Sequence, residues 1–179
     1  ALPCHLQGQV VPFEDETVVS GLTLPTAFTF LEDGRILIAE KRGVVRLVAN
    51  GVLQPTPFID LQARVNDYWD RGLLAIAVDP NFATNGYVYL YYVFEHDPAN
   101  YTGAKTARLT RVTAVGDAAS PSTETVLIGA LSGASCGGYP AGSDCIPADA
   151  PMHNGGAIRA ASDGTLFLSI GDGADANFV

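Results

Sequence analysis

The sequence predicts an all-β fold, a β-propeller of four-stranded antiparallel blades, of which the chain carries about two and a half. Three observations predict it. Stretches with the three-and-four spacing of a helix are almost absent, and 19 Gly and 11 Pro interrupt the 179 residues throughout. Short β-rich runs come in sets of four. The first turn of each set carries Asp33-Gly34, Asn85-Gly86 and Asp163-Gly164, so the sets read as copies of one unit. A plain β-sandwich also has many short strands, but this recurrence favours blades around an axis.

Residues 17–61 form the first unit. "TAFTF" turns through Asp33-Gly34 into "RILIAEK", then through Gly43 into "VVRLV", and "PFIDL" follows. Residues 72–132 form the second, with "LLAIAVD", a loop to Asn85-Gly86, "YVYLYYVFE", "TARLTRVTA" and "ETVLIGAL". In "YVYLYY", Tyr87, Tyr89 and Tyr91 alternate with Val88, Leu90 and Tyr92, as expected of a strand buried on both faces between blades. Residues 133–150 are expected as an inserted loop, and 153–179 begin a third unit with "GGAIRAA" and "LFLSIGD" around Asp163-Gly164. Such a partial set cannot close a ring, so the chain is expected to be the N-terminal part of one propeller domain. The remaining half of the propeller is then a partner, and without it an apolar sheet face and a strand edge meet water.

Composition limits the partners. A net charge of −9 without a run of Lys or Arg disfavours nucleic acid and anionic membranes. No apolar stretch approaches the roughly 20 residues of a spanning helix. The opening "ALPCHLQ" is what cleavage of a signal peptide after a small residue leaves, so a secreted or periplasmic location is expected. Cys136 and Cys145 bracket "CGGYPAGSDC", whose Gly and Pro let the ends meet in a disulfide, and Cys4 is left over. His5 and His96 have no chemical context and are expected at the surface.

The most informative stretch is "PMHNGGAIRAASDGTLFLSIGDG", residues 151–173, with His153 before Asn154-Gly155-Gly156. On its own, a histidine before a strand is a polar turn residue. Together, "FLEDGRILIAEKRGVVRLV", "DRGLLAIAVDPNFATNGYVYLYY" and "HNGGAIRAASDGTLFLSIGDG" occur in an order and spacing that resemble the glucose/sorbosone dehydrogenase family, soluble quinoproteins built as six-bladed propellers. The resemblance covers essentially the whole chain, the inserted loop and the extreme N-terminus least.

What the resemblance implies is a dehydrogenase using pyrroloquinoline quinone (PQQ) and calcium, with a sugar as substrate and an external electron acceptor. His153 corresponds to the general base that takes the proton of the anomeric hydroxyl while the C1 hydride leaves for the quinone. Histidine suits the task because a neutral imidazole accepts protons readily at neutral pH. Gly155 and Gly156 would let a flat cofactor or a sugar approach the backbone. This chain departs from the pattern in two places. Met152 stands where the soluble glucose dehydrogenases have an aspartate that assists the base, so another group must hold the ring. Trp69-Asp70-Arg71 stands where they have a glutamine near the sugar. Asp70 is a candidate for a sugar hydroxyl, for steadying the imidazolium, or for capping a turn. Trp69 is a candidate sugar contact. Arg71 is a candidate for the quinone's carboxylates or for an ion pair with Asp70 or Asp67.

"GDGADAN" offers Asp172, Asp175 and Asn177 as oxygen ligands for calcium, although Asp-Gly at a strand end is also an ordinary turn. Most ligands of calcium and PQQ are expected beyond Val179. Two other readings stay open: a non-catalytic carbohydrate- or protein-binding propeller, and a calcium-dependent lactonase on a similar scaffold.

Overall fold

A computed structural model describes residues 13–173. Cys4, His5, Asp175 and Asn177 lie outside the described residues. The first sheet contains β1 (Pro25–Phe30), β2 (Ile36–Glu40) and β3 (Val44–Ala49) in antiparallel order, with two short edge segments, β4 (Val52–Leu53) and β5 (Ile59–Asp60), both on β3. The second contains β6 (Leu73–Val78), β7 (Tyr87–Phe94) and β8 (Lys105–Val115), again antiparallel. Along β8 the outer partner is shared among β9 (Ala118–Ala119), β10 (Thr125–Ile128) and β11 (Ile146–Ala148). The third is the hairpin β12 (Gly156–Ala160) and β13 (Leu166–Ile170).

Turn chemistry explains the recurrence. Asp33 Oδ1 accepts the N–H of Arg35, and Asp163 Oδ1 accepts that of Thr165, while Gly34 and Gly164 take the left-handed backbone such turns demand, at φ 87° and 86°. At Asn85-Gly86 the connection differs from a simple loop. It is a single helical turn, α1 (Phe82–Asn85), closed by Gly86, whose N–H donates to Phe82 O.

The inserted segment departs from its expected boundaries. Its last part is β11, which pairs with Lys105–Ala107 at the start of β8, so the second blade continues to Ala148 instead of ending near residue 132. The Cys136–Cys145 disulfide closes the loop ahead of this strand.

Packing distinguishes blades from a sandwich. One face of the second sheet, through Ile76, Val88, Leu90, Tyr92 and Val112, packs on Leu37, Val45, Leu47 and Ile59 of the first. Its other face, through Tyr89, Tyr91, Val93 and Leu109, packs with Ile158 of the third. The alternation in "YVYLYY" is thus that of a strand covered on both sides, which a two-layer sandwich does not provide. The leading strands β1, β6 and β12 lie side by side and line a groove of about 550 Å³. This is the hub side of a propeller arc. Phe28, Phe30 and Phe167 remain exposed on the outer faces of its two terminal sheets.

Candidate functional site

The site forms where β6 and β12 begin, at one end of the groove. Residues 68–72 make a tight turn, with the Arg71 N–H donating to Tyr68 O at 3.1 Å and Trp69 in left-handed backbone at φ 53°. His153 adopts the same region at φ 56°, a conformation that costs a non-glycine residue about 1 kcal/mol or more. Several bonds hold it there. Its N–H donates to Asp70 Oδ2 at 3.0 Å, and the Asp70 N–H donates to Pro151 O at 3.0 Å, so the two strand entries clasp each other. The buried Asn154 side chain donates to the carbonyls of Ala150 and Met152 and stiffens the bend from within.

The imidazole remains 51% exposed, and its Nδ1 lies 3.1 Å from Asp172 Oδ1. A carboxylate only accepts, so in the neutral ring this contact favours the tautomer with the proton on Nδ1 and the lone pair on Nε2. Asp172 therefore does what Met152 cannot. Counting outward from the Asp163-Gly164 turn places it there. Gly156 pairs with Ile170, and continuing the ladder brings His153 opposite Gly173, whose N–H donates to His153 O at 3.3 Å. The other two expected calcium ligands beside Asp172, Asp175 and Asn177, lie outside the described residues. Among the described residues no group of three or more His, Cys, Asp or Glu is placed to hold a metal ion.

The other candidates separate. Trp69 is 56% exposed beside Asp70. Gly155 has open space where a Cβ would stand. Gly156 does not. A Cβ there would lie 2.5 Å from Ser169 O and 3.0 Å from the Tyr91 ring, so this glycine serves packing. Arg71 also differs from expectation. It is fully buried, and its guanidinium donates to the carbonyls of Gly103, Ala148 and Asp149 at 2.6, 3.0 and 2.9 Å. Desolvation lowers its pKa from the ordinary arginine value. Its donors are engaged by backbone carbonyls, and it pairs with neither Asp70 nor Asp67. Its effect is to tie β11 and the segment leading to His153 onto the second blade. His96 is half-buried, not fully at the surface.

Sequence reasoning missed the polar cluster beneath the turn. Fully buried Lys105 pairs with Glu95 Oε1 at 2.9 Å, and Asn66 Nδ2 donates to Glu95 Oε2 at 2.6 Å. The pairing of β7 with β8 brings Lys105 to Glu95, and the nonlocal bridge of Val65 to Phe94 brings Asn66.

The sequence profile of the glucose/sorbosone dehydrogenase family matches residues 22–178. The chain belongs to that family. The matched span of this family member includes every residue of the site just described. A glucose-dehydrogenase-type oxidoreductase of Thermus thermophilus has a similar structure, with a TM-score of 0.62 and 30% identity over 88% of this chain and 40% of that one. The PQQ-bound aldose sugar dehydrogenase of Streptomyces coelicolor superposes with a TM-score of 0.63 at 22% identity, over 89% of this chain and 41% of that one, which is a likeness of fold. An uncharacterised protein of Synechocystis is 36% identical over 92 residues, 48% of this chain and 22% of its own length. Mouse Hedgehog-interacting protein is 34% identical over 84 residues, 43% of this chain and 12% of its own length. This family member thus spans well under half of these relatives.

Proposed function

We propose that the chain is the N-terminal part of an exported PQQ-dependent sugar dehydrogenase in which His153 is the general base. One observation carries the proposal: an exposed imidazole at the end of the hub groove, with Nδ1 engaged by Asp172 and Nε2 left to take a proton. Asp70 holds the backbone of that histidine, and Trp69 offers an aromatic face to the sugar beside it. Nε2 takes the proton of the anomeric hydroxyl, and Asp172 stabilises the imidazolium that results. PQQ, when bound, supplies the hydride acceptor, and calcium polarises it. Among the described residues the fit to these groups is limited to the open backbone at Gly155. Arg71 is committed elsewhere, so the cations a carboxylated quinone needs are assigned to the remaining blades. Export fits the disulfide, and among the described residues no helix is long and apolar enough to cross a membrane.

The burial of Arg71 gives some support to the second reading, a propeller that binds carbohydrate or protein without a cofactor. Full-length protein supplied with PQQ and calcium is expected to reduce an artificial acceptor when an aldose is added. Asp172→Asn should lower kcat about 10- to 100-fold, through a wrongly held tautomer, with less change in KM. Absence of quinone binding by the full-length protein rules out the dehydrogenase and leaves the binding module.

A further inference from the structure

We propose that the disulfide-closed insertion positions His153, acting through the contact of Ser135 with Asp149. This deepens the reading above and rests on it. The insertion is an excursion from one place on a strand. Ile128 pairs with Leu109 and Ile146 with Ala107, so the chain leaves the outer edge of β8 after β10 and returns to the same edge, beside its point of departure, as β11. Residues 129–145 are not needed to join two segments that already adjoin, and a long detour of this kind usually carries a function.

The base of the detour is fixed. The Asp144 carboxylate accepts the N–H groups of Gly129 and Ala130 at 2.7 and 3.0 Å, and the Leu131 N–H donates to Asp144 O at 3.0 Å. The Cys136–Cys145 bridge then joins residues nine positions apart and limits what lies between them. Ser135, next to the first cysteine, donates its hydroxyl to Asp149 Oδ2 at 3.0 Å.

Asp149 is thereby held from two directions, its carboxylate by the insertion and its main-chain oxygen by Arg71 at 2.9 Å. It opens the short segment that ends in the base. From the same turn as Arg71, the Asp70 N–H donates to Pro151 O, and Asp70 Oδ2 accepts the His153 N–H. Residues 70 and 71 thus hold this segment by its main chain, while Ser135 holds it by a side chain, and the bridge restricts how far that hydroxyl can travel. His153 is the strained member of the segment, at φ 56°, so slack admitted at Asp149 is relieved there first. The imidazole then drifts from Asp172, 3.1 Å away, whose contact favours the Nδ1–H tautomer.

The test uses full-length protein without quinone, isotopically labelled in its histidine ring nitrogens, with nuclear magnetic resonance reading the tautomer of His153 at mildly alkaline pH. His153→Asn assigns the signals. The wild-type ring is expected as Nδ1–H. In Cys136→Ser/Cys145→Ser, and in Ser135→Ala, the signals should move toward the Nε2–H form, and Ser135→Thr, which keeps the hydroxyl, should restore them. With PQQ, calcium and an aldose, both altered proteins should lose about tenfold in kcat with KM within about twofold. Combining the changes should cost little more than opening the bridge alone, because both act through one tether. Ser135→Ala retains the bridge, so it decides the matter if the bridge-less protein fails to fold. An unchanged tautomer in Ser135→Ala, a shift that Ser135→Thr does not reverse, or a raised KM at constant kcat overturns the proposal. The predicted tautomer shift in a protein whose wild type reduces no acceptor with any aldose would instead overturn the dehydrogenase reading and leave the positioning role standing.

Discussion

Asp70 Oδ2 accepts the main-chain N–H of His153 at 3.0 Å, across the boundary between the second and third blades. The imidazole thus owes its place to a carboxylate 83 residues earlier in the chain. Asp70→Ala removes the acceptor and releases a backbone that a histidine adopts reluctantly. The expected result is a stability loss of about 1 kcal/mol, small because the site is exposed, and about a tenfold loss of kcat. Asp70→Asn keeps an accepting oxygen and should recover most of both. Thermal melts with steady-state kinetics on the full-length protein read the two effects, and an alanine variant with unchanged kcat would separate Asp70 from the site.

Gly171 and Gly155 form a matched pair. A Cβ on Gly171 would lie 1.9 Å from His153 O, whereas a Cβ on Gly155 meets nothing within 4 Å. The Gly171 N–H also donates to Gly155 O at 2.6 Å, so displacing one strand moves the other. Gly171→Ala is expected to cost about 1–3 kcal/mol and to displace His153. Gly155→Ala should leave stability within about 0.5 kcal/mol. Chemical denaturation of the two variants checks the contrast.

Arg71→Met is expected to destabilise the protein by about 3 kcal/mol, because three carbonyls, that of buried Ala148 among them, lose their donors together. Arg71→Lys should recover little, since an ammonium cannot reproduce the planar fork that serves Gly103, Ala148 and Asp149. Limited proteolysis should then cleave first between residues 133 and 152, the segment this guanidinium ties down.

Glu95 makes stability depend on acid. Burial alone would raise its pKa, but donation from Lys105, Asn66 and the Asp97 N–H outweighs it and holds the carboxyl below the ordinary 4.5. A depressed folded-state pKa means that the unfolded chain takes up the proton first as pH falls. The contribution is therefore fully present above the unfolded value and is lost as pH drops through the folded one. Urea midpoints should fall as pH drops below the ordinary carboxylate value of 4.5, and Glu95→Gln should flatten that slope while lowering stability near pH 7.

The tyrosines act at the other extreme. Burial, with the Asp79 carboxylate adding to it at Tyr89, raises the phenols of Tyr89 and Tyr91 to about 12 from 10. In that interval the unfolded chain has lost the proton and the folded chain keeps it, so stability declines as pH rises from about 10 to 12. Ultraviolet titration should show these phenols ionising together with unfolding.

Local chemistry was legible in the residues themselves. Asp-Gly turns, β-branched runs and the alternation of "YVYLYY" report on near neighbours, and a propeller repeats such units, so the blades could be counted from the text. The disulfide was legible for the same reason, because its cysteines close a short flexible loop. Family wording pointed to His153.

The sequence by itself therefore determined the strands and most of their turns, since each depends on residues within one hairpin, and it singled out the histidine proposed as the base. Only the tertiary structure decided who serves that histidine. Asp172 came within reach of the ring, Asp70 reached across blades to its backbone, and Arg71 turned inward to carbonyls of the inserted segment. These assignments follow from the register of β12 on β13 and from the packing of one blade on the next. The packing contacts join residues remote in sequence, which no local spacing encodes, whereas the hairpin register can be counted from its Asp163-Gly164 turn.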